Sequence, residues 1–384
     1  MKKVFALVLA VMMVAAMFTG CGNAADSSDP AVIKIGTSGP LTGPNAAYGT
    51  AVEAGMKIAV EEINALGGLQ FEFKAEDDEA DGEKAVAAYN VLKDWGMDVF
   101  AGAVTTGSSL AAAAEAVADN MFMLTPSASA EEVATSGSTV FQMCFTDPNQ
   151  GASAAELIAV KWPEAVVGVI YDSSDAYSAG IYNGFMAKAE ELGLNIVVET
   201  SFTSDSKTDL STQVTQCQEA GADLVFLPFY YTEAAQVLTY ANKIGYAPTF
   251  FGCDGMDGIL TVDGFDPALA EGLALMTPFD ANASDEKTQS FVAKYKEMMD
   301  GQIPNQFAAD GYDCIYAIYE ALTAAGIDGT ASAEDITAAL VSWFNGTEGF
   351  DGLTGKGMTW DENGMISKAP AAVVITDGVY VPMA

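Results

Sequence analysis

From residue 33 onward the chain alternates short apolar runs with segments of helical period, and the alternation starts twice. Residues 33–36 read as a strand and lead into a Gly/Pro/Ser-rich loop at 37–49. Val52, Met56, Ala59, Val60, Ile63 and Leu66 then recur at helical spacing and stop at Gly67-Gly68, a helix C-terminal signal. A strand at 71–75, an acidic loop at 77–81, a helix over 82–95, a strand at 99–104, a helix over 108–120 and a strand at 121–124 complete a βαβαβα unit. This order predicts a parallel sheet covered by helices on both faces. The pattern restarts at 166–171, continues with a helix near 180–192 and adds strands at 196–198, 224–228 and 249–252 with helices between. Residues 291–326 are mostly helical, and a Gly-punctuated β end closes the chain at 372–375 and 379–381. The expected fold is therefore α/β, with two doubly wound, Rossmann-like lobes in place of one large sheet. Ligands of such sheets bind at the carboxyl ends of the strands, so two facing sheets would put both sets of loops around one cleft.

Composition then limits the chemistry. The chain carries 52 Asp and Glu against 16 cations, a formal charge of −36, and every cation is Lys; it has no Arg and no His. Ser-His-Asp and Cys-His nucleophile systems need an imidazole base, and His-based zinc sites need an imidazole ligand. Nucleic-acid binding needs clustered positive charge. All three are excluded as expectations, and no GxGxxG or GKS/GKT sequence offers a nucleotide phosphate site. Cys144, Cys217, Cys253 and Cys314 show no CxxC spacing. Their apolar or helical contexts favour buried free thiols over metal ligands, so neither metal nor cofactor is expected.

The first residues read as an address. Lys2 and Lys3 precede an uncharged apolar run at 4–18, too short for a comfortable membrane span. It ends Phe18-Thr19-Gly20-Cys21, which resembles a bacterial lipobox, although Phe18 departs from the usual Leu or Val. In that reading residues 1–20 are a lipoprotein signal peptide, Cys21 is lipidated, and 21–30 form a flexible tether. An ordinary secretory signal cleaved elsewhere is the plainer alternative. Removal of 1–20 leaves 14 Lys against 52 acids, a charge suited to an anionic cell surface. No second long apolar run follows, so the remainder is expected to be an exported soluble body.

Polar residues gather at the predicted strand ends. The strand at 99–104 runs into Thr105-Thr106-Gly107-Ser108-Ser109 directly before a helix. Hydroxyls and free amides there suit an anion, and equally suit a plain N-cap. The strand at 121–124 ends in Thr125-Pro126-Ser127-Ala128-Ser129, before a helical stretch that begins Glu131-Glu132, so two hydroxyl-rich helix starts can converge on one anion. Cys253-Asp254-Gly255 follows the strand at 249–252. Its carboxylate fits a cationic group, while Asp-Gly by itself is ordinary turn chemistry. Tyr48, Tyr177, Tyr230 and Tyr231 also stand at loop starts.

These residues carry a family resemblance. The run from Ile33 to Pro44 (IKIGTSGPLTGP), Tyr48-Gly49, residues 59–64 (AVEEIN) and Gly67-Gly68 resemble the opening of the type I periplasmic binding proteins. By pattern the likeness is greatest to the leucine/isoleucine/valine-binding receptors of ABC importers. Asp77-Asp78, residues 124–129, Tyr177 with Gly180, residues 226–231, residues 251–255 and Gly311-Tyr312-Asp313 continue it to the last strand. The resemblance implies two lobes joined by three crossover strands near 146–149, 277 and 367–371. One lobe would comprise 31–148 and 278–368, the other 149–277 and 369–384, closing on the ligand like a hinged trap.

The family holds an α-amino acid by its backbone. The carboxylate-binding positions match Thr106, Ser127 and Ser129. The ammonium-binding carboxylate matches Asp254, where relatives often have Glu. Ligand-contacting aromatics match Tyr48, Tyr177, Tyr230 and Phe307. The disulfide of some relatives has no counterpart, because Ala80 and Thr105 occupy that region. The resemblance further implies an ABC permease and ATPase as partners, a monomer, and an extracytoplasmic protein held by lipid to the outer face of a Gram-positive cell membrane. Branched-chain amino acids are the default ligand, with amides or aromatic acids as the alternative. A sensor module of the same fold is the second reading, weakened by the lack of any membrane segment after Ala384. A carboxylate-pair glycosidase is chemically allowed, but the expectation is a binding protein and not an enzyme.

Overall fold

The computed structural model describes residues 32–383, and the signal segment 1–20, Cys21 and the tether 21–30 lie outside them. The first sheet is parallel throughout, in the order β2-β1-β3-β4-β5. Its strands are β1 (Ile33–Gly39), β2 (Phe71–Asp77), β3 (Val99–Phe100), β4 (Met123–Thr125) and β5 (Val140–Gln142). Between them run α1 (Ala46–Ala65), α2 (Gly82–Asp94), α3 (Thr106–Ala118) and the single turn α4 (Glu131–Ala134). The second sheet has the order β12-β11-β10-β9-β8-β6-β7. It comprises β6 (Val166–Asp172), β7 (Asn195–Phe202), β8 (Leu224–Leu227), β9 (Thr249–Gly252), β10 (Ala274–Met276), β11 (Ala372–Thr376) and β12 (Val379–Pro382). Its strands β6 to β10 are parallel, while β11 and β12 add on as an antiparallel edge. The helices α5 (Asp147–Lys161), α6 (Ala176–Leu192), α7 (Ser211–Glu219) and α8 (Tyr231–Lys243) belong to this half of the sequence. Then α9 (Glu286–Met298), α10 (Gln306–Ala325) and α11 (Ala333–Phe344) return to the first sheet, where α9 and α10 pack on α1 and α11 on β3. The fold is thus two Rossmann-like lobes. Among the described residues no helix is long and apolar enough to cross a membrane.

The chain changes sheet three times, after β5, after β10 and before β11, and none of these connections joins a sheet ladder. The second and third are tied together by Thr277 N–H, which donates to the Ala371 carbonyl at 2.8 Å. The strand predicted over 99–104 is shorter than its apolar run. Beyond Phe100 and Ala101 the backbone leaves the ladder, and the carbonyls of Ala103 and Val104 accept from the hydroxyls of Thr125 and Ser127, both at 2.7 Å. Four elements have no counterpart in the sequence pattern: β5, α5, β10 and α11. β5 is too short to show a period. α5 is built largely of small and polar residues.

Glycines inside helices mark where backbones touch. A Cβ on Gly55 of α1 would stand 1.9 Å from the Ala308 carbonyl oxygen of α10, and one on Gly311 would stand 2.7 Å from the Val52 carbonyl oxygen. The second lobe repeats the arrangement: a Cβ on Gly151 of α5 would meet the Ile181 carbonyl oxygen of α6 at 2.2 Å, and one on Gly184 would meet Pro148 Cα at 2.6 Å. These contacts are backbone, which cannot swing aside, so the glycine cost in helix propensity is accepted for closeness. Gly55→Ala is expected to cost about 3 kcal/mol in denaturant unfolding. Gly68→Ala, where nothing lies within 4 Å, serves as the control and should change stability little; equal effects would show that the α1–α10 approach is not the constraint.

Candidate functional site

Both sheets point the carboxyl ends of their parallel strands at one cleft. From the first lobe come Tyr48 in the first turn of α1, Thr105 and Thr106 at the start of α3, Ser127 after β4 and Phe307 in the first turn of α10. From the second come Tyr177 in the first turn of α6, Tyr230 just before α8 and Asp254 after β9. They line one cavity of about 20 Å³, room for about one water molecule. Seven of the eight residues expected from the sequence thus meet around it. Ser129 does not line the cavity; it is fully buried behind it, beside Asp147.

The lobes are closed on this cavity by reciprocal tyrosine bonds. Tyr231 in α8 accepts through its hydroxyl from Ala47 N–H at the start of α1, at 3.2 Å. Tyr48 in α1 accepts through its hydroxyl from Tyr231 N–H at the start of α8, at 3.3 Å, and donates to the Gly255 carbonyl at 2.5 Å. Neither helix start has a side-chain cap of its own, so each lobe caps a helix of the other. Thr232 Oγ1 donates to the Pro44 carbonyl at 2.9 Å, and Gln306 Nε2 donates to the Asp254 carbonyl at 3.1 Å. The rings of Tyr230, Tyr231 and Phe307 surround Tyr48 at centroid distances of 5.7, 4.8 and 4.6 Å. A ligand larger than water enters only with the lobes apart.

The polar groups divide by sign. The start of α3 also lacks a side-chain cap. Its first amides have no intrahelical partner, and the buried hydroxyls of Thr105, Thr106, Ser108 and Ser109 have no hydrogen-bond partner in the protein. These features fit an anion. The helix expected after Ser129 is only the single turn α4, too short to contribute a comparable dipole. Ser127 is engaged with Val104.

Asp254 stands opposite and is buried. One carboxylate oxygen accepts from the Tyr177 hydroxyl, and its N–H donates to Gln150 Oε1 at 2.7 Å. Burial raises its pKa above the usual carboxylate range, while the bonds from Tyr177 and Gln150 pull the other way. Burial likewise raises the Tyr48, Tyr177 and Tyr230 hydroxyls well above 10, so they remain donors.

Asp147 was not singled out from the sequence. It is fully buried, neither carboxylate oxygen has a hydrogen-bond partner in the protein, and burial holds its pKa well above the ordinary value, with Asp254 adding to the rise. The neighbouring Ser129 hydroxyl pulls that pKa the other way. Thr146-Asp147-Pro148 reads as ordinary helix-start chemistry, so no local signal set Asp147 apart. Tyr231 and Gln306 were likewise legible only as one more aromatic and one more amide. The four cysteines are free and buried, and the Cys253 thiol lies 3.0 Å from the Tyr177 hydroxyl. Among the described residues no group of three or more metal-ligating side chains could hold an ion.

Residues 32–378 match the family model described as periplasmic binding protein, and the chain belongs to that family. It is 28% identical over 345 residues to the leucine-, isoleucine-, valine-, threonine- and alanine-binding protein of Pseudomonas aeruginosa, covering 88% of this chain and 90% of that one. The leucine binding protein LivK of Thermotoga maritima superposes with a TM-score of 0.81 at 29% identity, over 92% of this chain and 98% of the other. LivJ of Streptococcus pneumoniae, a branched-chain amino acid transporter substrate binding protein solved with isoleucine, gives 0.80 at 25% identity, over 91% and 97%.

Tyr48→Phe removes the bond to Gly255 and the cap on Tyr231 N–H together. At about 1 kcal/mol per bond, the closed form should lose about tenfold or more in relative population. Small-angle scattering would then give a larger radius of gyration; an unchanged radius would assign closure to other contacts.

Proposed function

We propose that this chain is an extracytoplasmic substrate-binding protein. It captures a small α-amino acid, by default a branched-chain one, by closure of two hinged lobes, and hands it unaltered to the permease and ATPase subunits of an ABC importer. The observation that carries the reading is the opposition across the closed cleft of unpartnered hydroxyls and α3 amides on one side and the buried Asp254 carboxylate on the other. A zwitterion satisfies both. Its carboxylate meets Thr106, Ser127 and the α3 amides. Its ammonium meets Asp254. Ser129 lies beside Asp147, which favours the ammonium end for its hydroxyl too. Tyr48, Tyr177, Tyr230 and Phe307 shape the remaining wall. The names of the relatives, which bind leucine, isoleucine and valine, support the same ligand class.

An aromatic acid fits less well. It would bring an anion beside two buried carboxylates in a cavity that no Lys lines, an arrangement with no compensating charge. In this reading the lobes are 31–148 with 278–368, and 149–277 with 369–384, hinged near 146–149, 277 and 367–371. Cys21 carries the lipid that holds a monomer to the outer face of the cell membrane.

A thermal-shift screen of residues 26–384 against the amino acids should raise the midpoint with branched-chain ligands; a flat response across all of them would count decisively against the proposal. Asp254→Ala leaves the ammonium desolvated and unpaired, and calorimetric affinity should fall at least tenfold. An undiminished affinity would remove Asp254 from the site. Protons should also move. Burial keeps the Asp147 and Asp254 carboxyls protonated to higher pH in the free protein, and an ammonium favours their ionised forms. Binding therefore releases protons, and affinity rises as pH climbs from about 4 through the raised pKa values. Calorimetry across the pH range above 4, in buffers of differing ionisation enthalpy, should give different apparent enthalpies at some pH; identical values throughout would show that these carboxyls do not change charge.

A further inference from the structure

A second cavity, of about 360 Å³, lies on the other side of the turn that carries Asp254. The turn of 3-10 helix Asp254–Met256 ends at Asp257. Asp254 lines the small cleft cavity and Asp257 the large one. The first lobe contributes Ala47, Thr50 and the loop 302–305 to its wall, and the second contributes 257–261, Val373 and Tyr380. The connection at 277–282 closes one side. The volume falls within the range of pockets that hold small molecules, roughly 300–1,000 Å³.

Its lining has one sign of charge. Asp257 is only 5% exposed. Its Oδ2 accepts from Gln306 N–H at 3.0 Å, while Oδ1 is enclosed by the protein and the Tyr380 hydroxyl bonds to this carboxyl. The Tyr380 hydroxyl lies near this carboxyl and accepts from Gly258 N–H at 3.3 Å. Asp280 adds a second carboxylate, and no Lys lines the cavity. Burial raises the Asp257 carboxyl to about 6, so it is ionised at neutral pH. The rest of the wall is largely apolar, with the rings of Phe279, Tyr295 and Tyr380 among it. Two carboxylates with no Lys beside them favour a cation, and aromatic faces attract one too. None of these groups belongs to the amino-acid site.

We propose that this cavity is a second binding site, for a small organic monocation: a primary amine with an apolar or aromatic body. The ammonium meets the acidic side of the cavity, at Asp257 and Asp280, and the body packs among Leu260, Phe279, Tyr295 and Ile303. The chain between Asp254 and Asp257 separates the two sites by a single turn, and the second stands whether or not the first takes an amino acid.

Benzylamine is the probe, with benzyl alcohol as its neutral counterpart, titrated at pH 7 into residues 26–384 and followed by ligand-observed NMR. Benzylamine should bind with one site per chain, at least tenfold more tightly than benzyl alcohol. Asp257→Asn keeps an oxygen to accept from Gln306 N–H and should lower benzylamine affinity at least tenfold. Leu260→Trp, which fills the cavity from its apolar wall, should abolish binding without touching the charge. Asp254→Ala should leave benzylamine binding unchanged. Equal binding of amine and alcohol would overturn the cation assignment. Loss of binding in Asp254→Ala with retention in Asp257→Asn would place the amine in the cleft and overturn the second site.

Discussion

Two pairs of helices packed backbone to backbone set the geometry on which the rest of the structure depends. In the first lobe Gly55 and Gly311 let α1 and α10 touch; in the second Gly151 and Gly184 let α5 and α6 touch. The first turns of these four helices carry Tyr48, Phe307, Asp147 with Gln150, and Tyr177. A side chain on any of these glycines would force a helix pair apart and move two cleft residues at once. The closeness of the pairs therefore fixes both the packing of each lobe and the positions of the groups at its helix starts.

Closure uses the same helix starts in a second way. α1 and α8 lack side-chain caps of their own, and the tyrosine of each lobe supplies the acceptor for the other. The bond that satisfies a helix end is thus available only when the lobes meet. α3 is uncapped as well, and although α6 of the opposite lobe packs beside it, no side chain caps its start. The neighbouring hydroxyls have no hydrogen-bond partner in the protein, and together with the free amides they suit an anion. A chain without Arg can hold an anion in this way, because aligned amides and hydroxyls replace the guanidinium. The carboxylates opposite are buried, and burial alone favours their neutral forms. A cation beside them would favour the ionised forms.

Much of this was legible in the sequence because it is local. The apolar runs of β1, β6, β8 and β9 and the helical period of α1 report burial directly, and they fixed the α/β class. Hydroxyls at 105–109 and 125–129 and the Asp-Gly at 254–255 stood out as strand-end chemistry. Weighed alone, the hydroxyls at 105–109 had an equally good reading as a cap, and the Asp-Gly a better one as a turn. Family resemblance, not spacing, raised Tyr48, Tyr177, Tyr230 and Phe307 above other aromatics. β5 and α5 were not legible, since three residues show no period and a helix of small and polar residues shows little amphipathic contrast.

The sequence by itself determined the elements, the class of sheet and the chemistry that could not occur in a chain lacking His and Arg. Only the tertiary structure decided which strand ends share a cavity. It alone made Asp147 a fully buried carboxylate and set Asp254 and Asp257 on opposite sides of one turn, facing different cavities. It also paired Tyr48 with the start of α8 and Tyr231 with the start of α1. The reason is physical: hydrophobic period is written in neighbouring residues, whereas desolvation and cross-cleft hydrogen bonds depend on atoms from distant parts of the chain meeting within a few ångströms.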